Sequence, residues 1–489
     1  MSKPSLHIDL FPLLSALLLL LLLQGCAGQV ATHEEAVASI KGEAVTKHVP
    51  KKFAAAAQNG SVDDGWLKSF KDPKLDILVT EALNQNPGLK IRQAQVEQAR
   101  AFVKKAEAKL KPTVGLSAVG KDTEYKGAVE KSSAGLNVSW EADVWGRIRT
   151  GVAAETEAAQ ATEADFQFAR QSLAASVADG WFTAITAKLQ HRFAQDIAGL
   201  QEKNLQIVKA RQKIGQGSER DVHLAKGSLA SAQNAARSAL SAYESSLRSL
   251  ELLLGRYPSA DLKTADKLVA VPPPIPAGIP SDILERRPDL IAAEREVARA
   301  FYKEKETNLL HLPRFTFSIG VGINSLNNAI AGLAAGLFAP LYTGGAIEAE
   351  VQKATADQKA AIAAYAQKAL QAFKEVETSL AAEEHLAKRE EYLGIEEKEN
   401  KIAYQQTKKQ YEIGQIPLLD VLTIQQKWIG AKIAKLDITD KRLVNRVKLH
   451  LALGGSFKNP SPDAQLTAGH QGHQKILNAP VLISDLRVP

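Results

Sequence analysis

Few residues in this sequence are arranged for chemistry. The ten histidines are scattered, and no G-x-S-x-G, H-E-x-x-H or P-loop motif is present. His470 and His473 lie close together near the C-terminus, but two histidines among turn-forming residues are weak evidence for a metal site. The sequence therefore predicts no catalytic constellation, no metal site and a protein that is not an enzyme.

The single cysteine, Cys26, follows a short apolar segment that runs from Leu10 to Leu23. This segment is too short to span the ~30 Å apolar core of a bilayer comfortably, and its form is typical of a secretory signal. Leu23-Gln24-Gly25-Cys26 resembles the bacterial lipobox, in which the thiol is lipidated and cleavage leaves the cysteine at the N-terminus. We predict a diacylglycerol and an N-acyl chain on Cys26, and no other cofactor. Ala27, and not an aspartate, follows the cysteine, which by resemblance to sorted lipoproteins favours the outer membrane.

Two turns, roughly 200 residues apart, carry the most promising acidic residues. In the first, Gly215-Gln216-Gly217 breaks a helix and Ser218 to Asp221 can begin the next one as a capping box. In the second, Gly414 breaks the helix and Pro417 suits the first turn of the next. Acidic residues favour helix N-termini, which is enough to explain Asp221. The same preference could explain Asp420, but Asp420 is also a candidate for a functional role.

An internal duplication of about 200 residues supplies the elements that hold these turns. Each unit predicts a helix, two strands, one very long helix, a tight turn and a second helix. The long helices run from Gly146 to about Lys213 and from Ala346 to about Glu412, and each would reach about 100 Å, as in a tube or rod. The matched segments are Trp145–Ile148 with Gly344–Ile347, Ile214–Val222 with Ile413–Val421, Leu252–Gly255 with Leu451–Gly454, and Asn86–Leu89 with Arg287–Leu290.

Short alternating segments lie between the first two helices of each unit. Residues 314–324 alternate apolar with small or polar side chains, as in a transmembrane barrel strand. We predict three more strands at about 113–122, 133–142 and 330–339. Four strands cannot close a barrel, and open sheet edges are not tolerated in lipid. Several chains must therefore form one barrel together, with eight, twelve or sixteen strands. The alternative is a soluble hairpin packed on a helix.

Composition supports a mostly α-helical protein with a small transmembrane β portion. Aromatic residues make up only 6% of the chain, and alanine-rich sequence of this kind suits closely packed long helices. The net charge of +7 comes from 61 basic and 54 acidic residues spread along the chain. Because no basic block is present, we do not expect nucleic acid as a partner.

Three stretches resemble the TolC-type outer-membrane efflux factors, specifically their lipid-anchored OprM/NodT branch. They are Leu284-Glu285-Arg286-Arg287-Pro288-Asp289-Leu290, the segment from Trp140 to Ile148 with its Trp145-Gly146-Arg147, and the segment from Tyr411 to Leu422. The resemblance, from about Trp66 to Gly454, implies a homotrimer in which a twelve-stranded β-barrel in the cell outer membrane continues into a twelve-helix periplasmic α-barrel. It also implies a periplasmic adaptor and an inner-membrane pump, which we expect to be of the proton-driven RND type.

The same resemblance implies a periplasmic gate at the second turn. Asp420 matches an acidic position at the tip constriction, where three carboxylates would attract cations and disfavour anions. Tyr411 matches a tyrosine that helps to hold the closed state by hydrogen bonding. Thr423 stands where the enteric member of the family has a second acidic residue, and Ile416 stands where it has a gate arginine. We therefore hypothesise an apolar constriction, formed by Ile416, Leu418 and Leu419.

The tip turns are the expected contact with the adaptor, through Gly215, Gln216, Gly217, Gly414 and Gln415. The predicted function is the exit duct of a tripartite pump that expels drugs or other small toxic molecules. Two alternatives remain: a duct of the same fold for another exporter, carrying metal or serving type I secretion, and a lipid-anchored periplasmic scaffold without a pore. The predicted regions are a signal peptide (1–25), a lipidated equatorial segment (26–75), the first repeat (76–255), a linker (256–281), the second repeat (282–454) and an equatorial or flexible tail (455–489).

Overall fold

The structure is a computed structural model that describes residues 30–40, 52–55, 64–119, 133–278, 280, 282–324 and 329–456. The predicted signal peptide, the predicted lipid site at Cys26, and His470 and His473 of the tail lie outside these residues.

The described chain is mostly helical, with four strands. Three short elements come first: helix α1 (His33–Ser39), a 3₁₀ helix (Trp66–Phe70) and α2 (Pro73–Gln85). The first repeat then consists of α3 (Pro87–Ala108), β1 (Thr113–Val119), β2 (Ser133–Ala142), α4 (Arg147–Lys213) and α5 (Glu219–Leu253). The second repeat follows with α6 (Asp282–Arg286), α7 (Pro288–Asn308), a 3₁₀ turn (Leu309–His311), β3 (Arg314–Asn324), β4 (Ala329–Phe338), α8 (Ala346–Glu412) and α9 (Leu418–Ala452).

The duplication is visible in the lengths of the helices. Both α4 and α8 contain 67 residues, and both α5 and α9 contain 35. The predicted extents of the long helices are therefore confirmed. Each long helix follows a glycine with positive φ, 78° at Gly146 and 83° at Gly345, where a side chain would be strained. Within the described parts of the chain, no helix combines the length and apolarity needed to cross a membrane.

The four strands form one antiparallel sheet in the order β1-β2-β3-β4. In this register Leu116 lies opposite Leu136, which lies opposite Val321, so the apolar side chains share one face. That face is uncovered in the chain: the exposed fraction is 79% for Leu116 and 66% for Leu333. Strand β4 begins and ends one position before the predicted 330–339, and the predicted end of β1 at 120–122 lies outside the described residues.

The 3₁₀ helix and α2, which precede the first repeat, cover one face of α4. Trp66, Phe70 and residues of α2 pack against Trp181 and Phe182 of α4 in a buried cluster. The carboxylate of Asp72 caps α2 by accepting from two backbone amides, and its second oxygen accepts from Trp181 Nε1 at 2.7 Å. Because this cap lies at Asp72, α2 begins at Pro73, ahead of the predicted start of the first repeat at residue 76.

Helix α1 docks the N-terminal segment onto α4 and α7. Ala36, Val37 and Ile40 are almost completely buried in a cluster shared with α7, α8 and α9. His33 donates to Glu157 of α4 at 3.0 Å and to Glu294 of α7 at 3.2 Å. These hydrogen bonds raise the pKa of His33 to about 9, so the imidazole is a cation at neutral pH.

The first stretch of the family resemblance is a buried junction between helices. Arg287 is 3% exposed and forms a bidentate pair with Asp289, at 3.0 and 2.9 Å. It also donates to Glu375 of α8 at 2.8 Å and to the carbonyl of Ala452 at the end of α9. This motif therefore joins the start of α7 to two other helices.

The second stretch connects the sheet to α4. The two carboxylate oxygens of Asp143 accept from the amides of Ile148 and Arg149, both at 2.9 Å, which caps the long helix. Trp145 Nε1 donates to the carbonyl of Pro313, the residue before β3, at 2.7 Å. In the second repeat Gly344 replaces Trp145, whereas the N-cap glycine is present in both repeats, as Gly146 and Gly345.

Candidate functional site

The two predicted tip turns lie at matching positions between the long helix and the helix that follows it. Gly215 and Gly414 have φ of 74° and 80°, which favours glycine at the position that reverses the chain. The amide of Gln216 bonds to the carbonyl of Arg211, and the amide of Gln415 bonds to that of Gln410, both at 2.9 Å. Both repeats thus end their long helices in the same way.

The two turns differ in how the next helix begins. The capping box predicted at Ser218 is present: its hydroxyl accepts from the Asp221 amide at 3.2 Å, and Asp221 accepts from the Ser218 amide. The Asp221 side chain thus has the structural role predicted from the sequence. In the second turn Pro417 precedes α9 and does not lie within its first turn, and no side chain caps the helix.

A small apolar cluster holds the two turns together. Val208 of α4 and Val222 of α5 pack with Leu418 of α9, each with at most 6% of its surface exposed. Leu418 is only 2% exposed, so in this conformation it is a core residue and does not line a constriction. Its buried position contradicts that part of the hypothesis, because the first turn of α9 presents it towards α4 and α5.

The other predicted gate residues lie on the surface of the chain. Leu419 is 54% exposed, Asp420 is exposed beside it, and Ile416 is half-buried. The hydroxyl of Thr423 is satisfied by the carbonyl of Leu419 within the same helix, at 2.9 Å. These gate roles stay predictions. A constriction of Ile416 and Leu419, and likewise an acidic ring of Asp420, would need side chains from several copies of the chain.

The predicted adaptor contacts are accessible. Gly215, Gln216, Gly414 and Gln415 are exposed, and Gly217 is half-buried. Two isoleucines at equivalent positions, Ile214 and Ile413, are 68% and 70% exposed. An apolar side chain beside a flexible polar one on each turn is suited to a protein partner.

Sequence reasoning missed the contact between Arg211 and Tyr411. Arg211 Nη1 donates to the carbonyl of Tyr411 at 2.6 Å, and its guanidinium lies 4.7 Å from the centre of the Tyr411 ring. Burial raises the pKa of the Tyr411 phenol, Arg211 opposes this rise, and the nearby Asp221 adds to it. An arginine from the first repeat therefore holds the end of the second repeat's long helix. The only available signal was a basic residue in the last turn of α4.

No metal centre is present in the parts of the chain that the structure describes, where no three His, Cys, Asp or Glu side chains are grouped to hold an ion. The tip turns and the sheet lie at opposite ends of α4 and α8.

Comparisons with known proteins agree with this arrangement. The sequence model of the family described as "Outer membrane efflux protein" matches residues 78–256 and 279–455, one segment in each repeat. The pyoverdine export outer membrane protein OpmQ of Pseudomonas putida is 30% identical over 422 residues, covering 82% of this chain and 90% of that protein. The cation efflux system protein CusC of Escherichia coli O6:H1 is 27% identical over 436 residues, covering 84% and 93%. The solved open state of the Neisseria gonorrhoeae MtrE outer membrane channel matches with a TM-score of 0.77 and 26% identity, covering 85% of this chain and 98% of that one.

Proposed function

The chain belongs to the outer membrane efflux protein family, and from that premise we propose that three copies form the exit duct of a pump that expels drugs or other small toxic molecules. Members of this family are outer-membrane efflux channels of tripartite pumps, so we expect no catalytic activity.

The sheet carries the proposal of a trimer. Its apolar face is uncovered, and the outer edges of β1 and β4 have no neighbouring strand within the described chain. In lipid each unpaired backbone group costs several kcal/mol, so an open sheet must close. With an even number of antiparallel strands, β4 of one copy can pair with β1 of the next in the antiparallel sense. Three copies give twelve strands, above the minimum of about eight that a closed barrel needs.

The long helices support a periplasmic tunnel below that barrel. Each hairpin is followed by a long helix after a short connection, residues 143–146 between β2 and α4 and residues 339–345 between β4 and α8. At 67 residues each helix would extend about 100 Å at 1.5 Å per residue. The apolar sheet and the tip turns are therefore separated by a distance suited to the periplasm.

The course of the N-terminal segment supports a lipid anchor on Cys26 in the same membrane. His33 contacts Glu294, whereas the carbonyl of Ala31 accepts from Tyr302 at 2.9 Å, further along α7 towards β3. From His33 back to Ala31 the chain therefore runs towards the sheet. From Ala31 the extended chain can reach about 17 Å to Cys26. The largely helical stretch from Tyr302 to Arg314, where β3 begins, rises by about 18 Å.

The cargo class rests on comparison, and two candidates remain. OpmQ is named for pyoverdine export and CusC for cation efflux, so related ducts serve organic molecules and ions. We propose an organic cargo as the main candidate and metal cations as the second, which the similarity to CusC favours. A duct passes what its pump selects, so the partners decide between them.

The proposal is tested by identifying what the tips contact in living cells. A photo-crosslinking residue at Gln216 or Gln415 should capture a periplasmic adaptor and, through it, a proton-driven inner-membrane pump. A matched control is the same residue at Tyr257, which is 86% exposed in the linker between the repeats and distant from the tips. Capture of only cell-wall proteins at the tip positions, or of the same proteins from Tyr257, would overturn the duct and favour a scaffold.

The cargo needs a second measurement in the same strain. Deletion of the gene should sensitise the cells to organic drugs and dyes, and an intact copy should restore resistance. Sensitivity confined to copper or silver salts would replace the main candidate with the cation duct. A substitution of Cys26 by alanine should release the chain from the outer-membrane fraction or slow its assembly there.

A further inference from the structure

A groove runs along one side of α4, between α3 and α7, at the end of these helices nearest to the sheet. Its upper part has a volume of about 180 Å³ and lies beside Gly151 of α4, between Phe102 of α3 and Lys303 of α7. Its lower part has a volume of about 350 Å³ and continues along α3 and α4 to Asp165. The two parts share Phe102 and Glu155, so the groove is continuous.

This groove lies on the side of α4 away from the elements that precede the first repeat. His33 of α1 contacts Glu157, and at about 100° per residue Gly151 and Glu155 lie roughly 120° and 160° around the helix from it. Helix α2 lines a separate groove with other residues of α3 and α4. In the proposed duct α1 and α2 lie outside the wall, because α1 leads to the lipid anchor. The groove beside Phe102 therefore faces the lumen.

Several charged groups in the upper part of the groove neutralise one another. Lys303 Nζ lies 3.0 Å from Glu155 Oε1 and 3.2 Å from Glu306 Oε2. Arg147 pairs with Glu141 at 2.6 Å. Both acidic residues that line the upper part, Glu155 and Glu306, thus have a cationic partner within the chain.

The two other cations of the upper part, Lys105 and Lys109, have no ion-pair partner among the residues that the structure describes. They are one helical turn apart at the end of α3, and like charges at this spacing repel each other. The end of a helix favours a lysine on any of its sides. Here both lysines line the groove, on the same side of α3 as Phe102, which is 47% exposed. Two unneutralised positive charges therefore lie beside an accessible aromatic ring.

We propose that this groove binds organic anions on their way through the duct. A carboxylate or sulfonate of the cargo accepts hydrogen bonds from Lys105 and Lys109, and an aromatic or other apolar part of the same molecule covers Phe102. Hydrogen bonds between ionised groups are stronger than neutral ones, and a few such groups beside apolar surface are typical of sites for small organic ligands. This inference rests on the proposed exit duct and narrows its cargo to anionic organic molecules.

The groove and the predicted acidic ring of Asp420 act at different places along the duct. From Glu155 to the end of α4 at Lys213 the helix rises by roughly 85 Å, about ten times the Debye length at physiological ionic strength. Carboxylates at the tip therefore do not weaken the positive field at Lys105 and Lys109. Every copy of the chain presents the same groove, so these lysines surround the lumen and attract anions that have passed the tip.

Dye binding to the purified full-length protein in detergent tests the site directly. Carboxyfluorescein is an anionic aromatic probe whose fluorescence anisotropy should rise on binding. Lys105→Ala combined with Lys109→Ala should weaken its binding by at least about tenfold, and Phe102→Ala by about threefold or more. The control combines Lys104→Ala with Lys111→Ala, which removes the same charge from the same end of α3. Neither of these lysines lines the groove, so the affinity should stay within about twofold of the parent.

The two double variants separate a built site from general attraction. Equal weakening of dye binding by both would show that the dye responds only to overall charge, and would overturn the site. An unchanged affinity of the variant that lacks Lys105 and Lys109 would overturn it as well. The cationic dye rhodamine 6G reports binding to the detergent micelle, and its anisotropy should be the same with all the variants.

Measurements in cells distinguish failure of the site from failure of the duct. A strain that carries the variant without Lys105 and Lys109 should lose resistance to an anionic antibiotic such as fusidic acid and keep resistance to the cationic dye ethidium. If deletion of the gene sensitises cells to both compounds, but this variant restores resistance to both as well as the parent does, the groove is refuted and the duct stands. If deletion changes sensitivity to neither organic compounds nor metal salts, the proposed duct itself is refuted.

Discussion

The guanidinium of Arg211 lies over the ring of Tyr411, 4.7 Å from its centre, and donates to the Tyr411 carbonyl at 2.6 Å. The two residues come from different repeats and lie in the last turns of the two long helices. An arginine at the C-terminus of a helix is favourable, because the last carbonyls lack partners within the helix. Here the arginine of one helix satisfies a carbonyl of the other, and this joins the two halves of the tip.

Removing this contact should loosen the tip. The stacking and the hydrogen bond together are worth about 1–2 kcal/mol, so Arg211→Ala should raise the population of an open tip by about 5- to 30-fold. We expect larger single-channel conductance in planar bilayers and greater sensitivity of cells to large antibiotics. Arg220→Ala removes an exposed charge from the same turn and is the control. Equal conductance of the Arg211 variant and the parent would show that this contact does not hold the tip.

Adjacent leucines at the start of α9 should respond differently to substitution. Leu418 is buried among Val208, Val222 and Ala225, so Leu418→Ala should destabilise the tip by about 2–5 kcal/mol through the cavity that it leaves. Leu419 is exposed, so Leu419→Ser should leave stability unchanged and raise conductance if this residue lines a constriction. Hydrogen exchange of residues 205–225 reports the first effect and bilayer recording the second. Enhanced exchange in the Leu419 variant alone would reverse these assignments.

The sequence predicts the long helices and their turns well because these depend on local chemistry. Glycines with positive φ end both long helices, and the capping box at Ser218 begins α5, as its spacing indicates. Strand β3 follows its alternation of apolar and small residues, and β4 differs from the prediction by one position. In each case the determining residues are neighbours in the sequence.

The features that sequence reasoning missed depend on contacts between distant residues. Helix α1 begins with a capping box of Thr32 and Glu35, but at seven residues it is too short to be stable alone and is held by His33 and by buried side chains from other helices. The sequence does not show which side of α9 faces the other helices, so Leu418 was predicted to line a constriction. Its side chain instead packs against Val208 of α4. Arg211 and Tyr411 are brought together only by the pairing of the two repeats.

Docking of the N-terminal segment should depend on pH through His33. Its pKa is raised to about 9 by hydrogen bonds to Glu157 and Glu294, whereas burial and, to a lesser extent, Arg295 oppose the rise. A raised histidine pKa stabilises the docked state fully below pH 6.5, and this contribution is lost as the pH rises through 9. Protection of the α1 amides against hydrogen exchange, corrected for intrinsic rates, should therefore fall between pH 6.5 and 9.5.

The variant His33→Ala separates this effect from general weakening at high pH. It should show lower protection than the parent at pH 6.5, and the two proteins should converge at pH 9.5, because the parent imidazole is then neutral. Arg295 keeps its contact with Glu157 in both, at 3.1 Å, so that carboxylate stays paired. A difference between parent and variant that does not change with pH would contradict the charged state of His33.

Neighbouring arginines in the Arg286-Arg287 motif should contribute unequally to stability. Arg287 is buried against Asp289, so Arg287→Met leaves a carboxylate without its partner in the core and should cost about 3–5 kcal/mol. Arg286 pairs with Asp64 at 3.2 Å in a partly exposed position, so Arg286→Met should cost no more than about 1 kcal/mol. Thermal unfolding followed by circular dichroism at the helical minimum compares the two. Asp289→Leu added to Arg287→Met should recover much of the loss, because no unpaired buried charge then remains. Equal midpoints for the two single variants would show that Arg287 does not hold the junction of α7, α8 and α9.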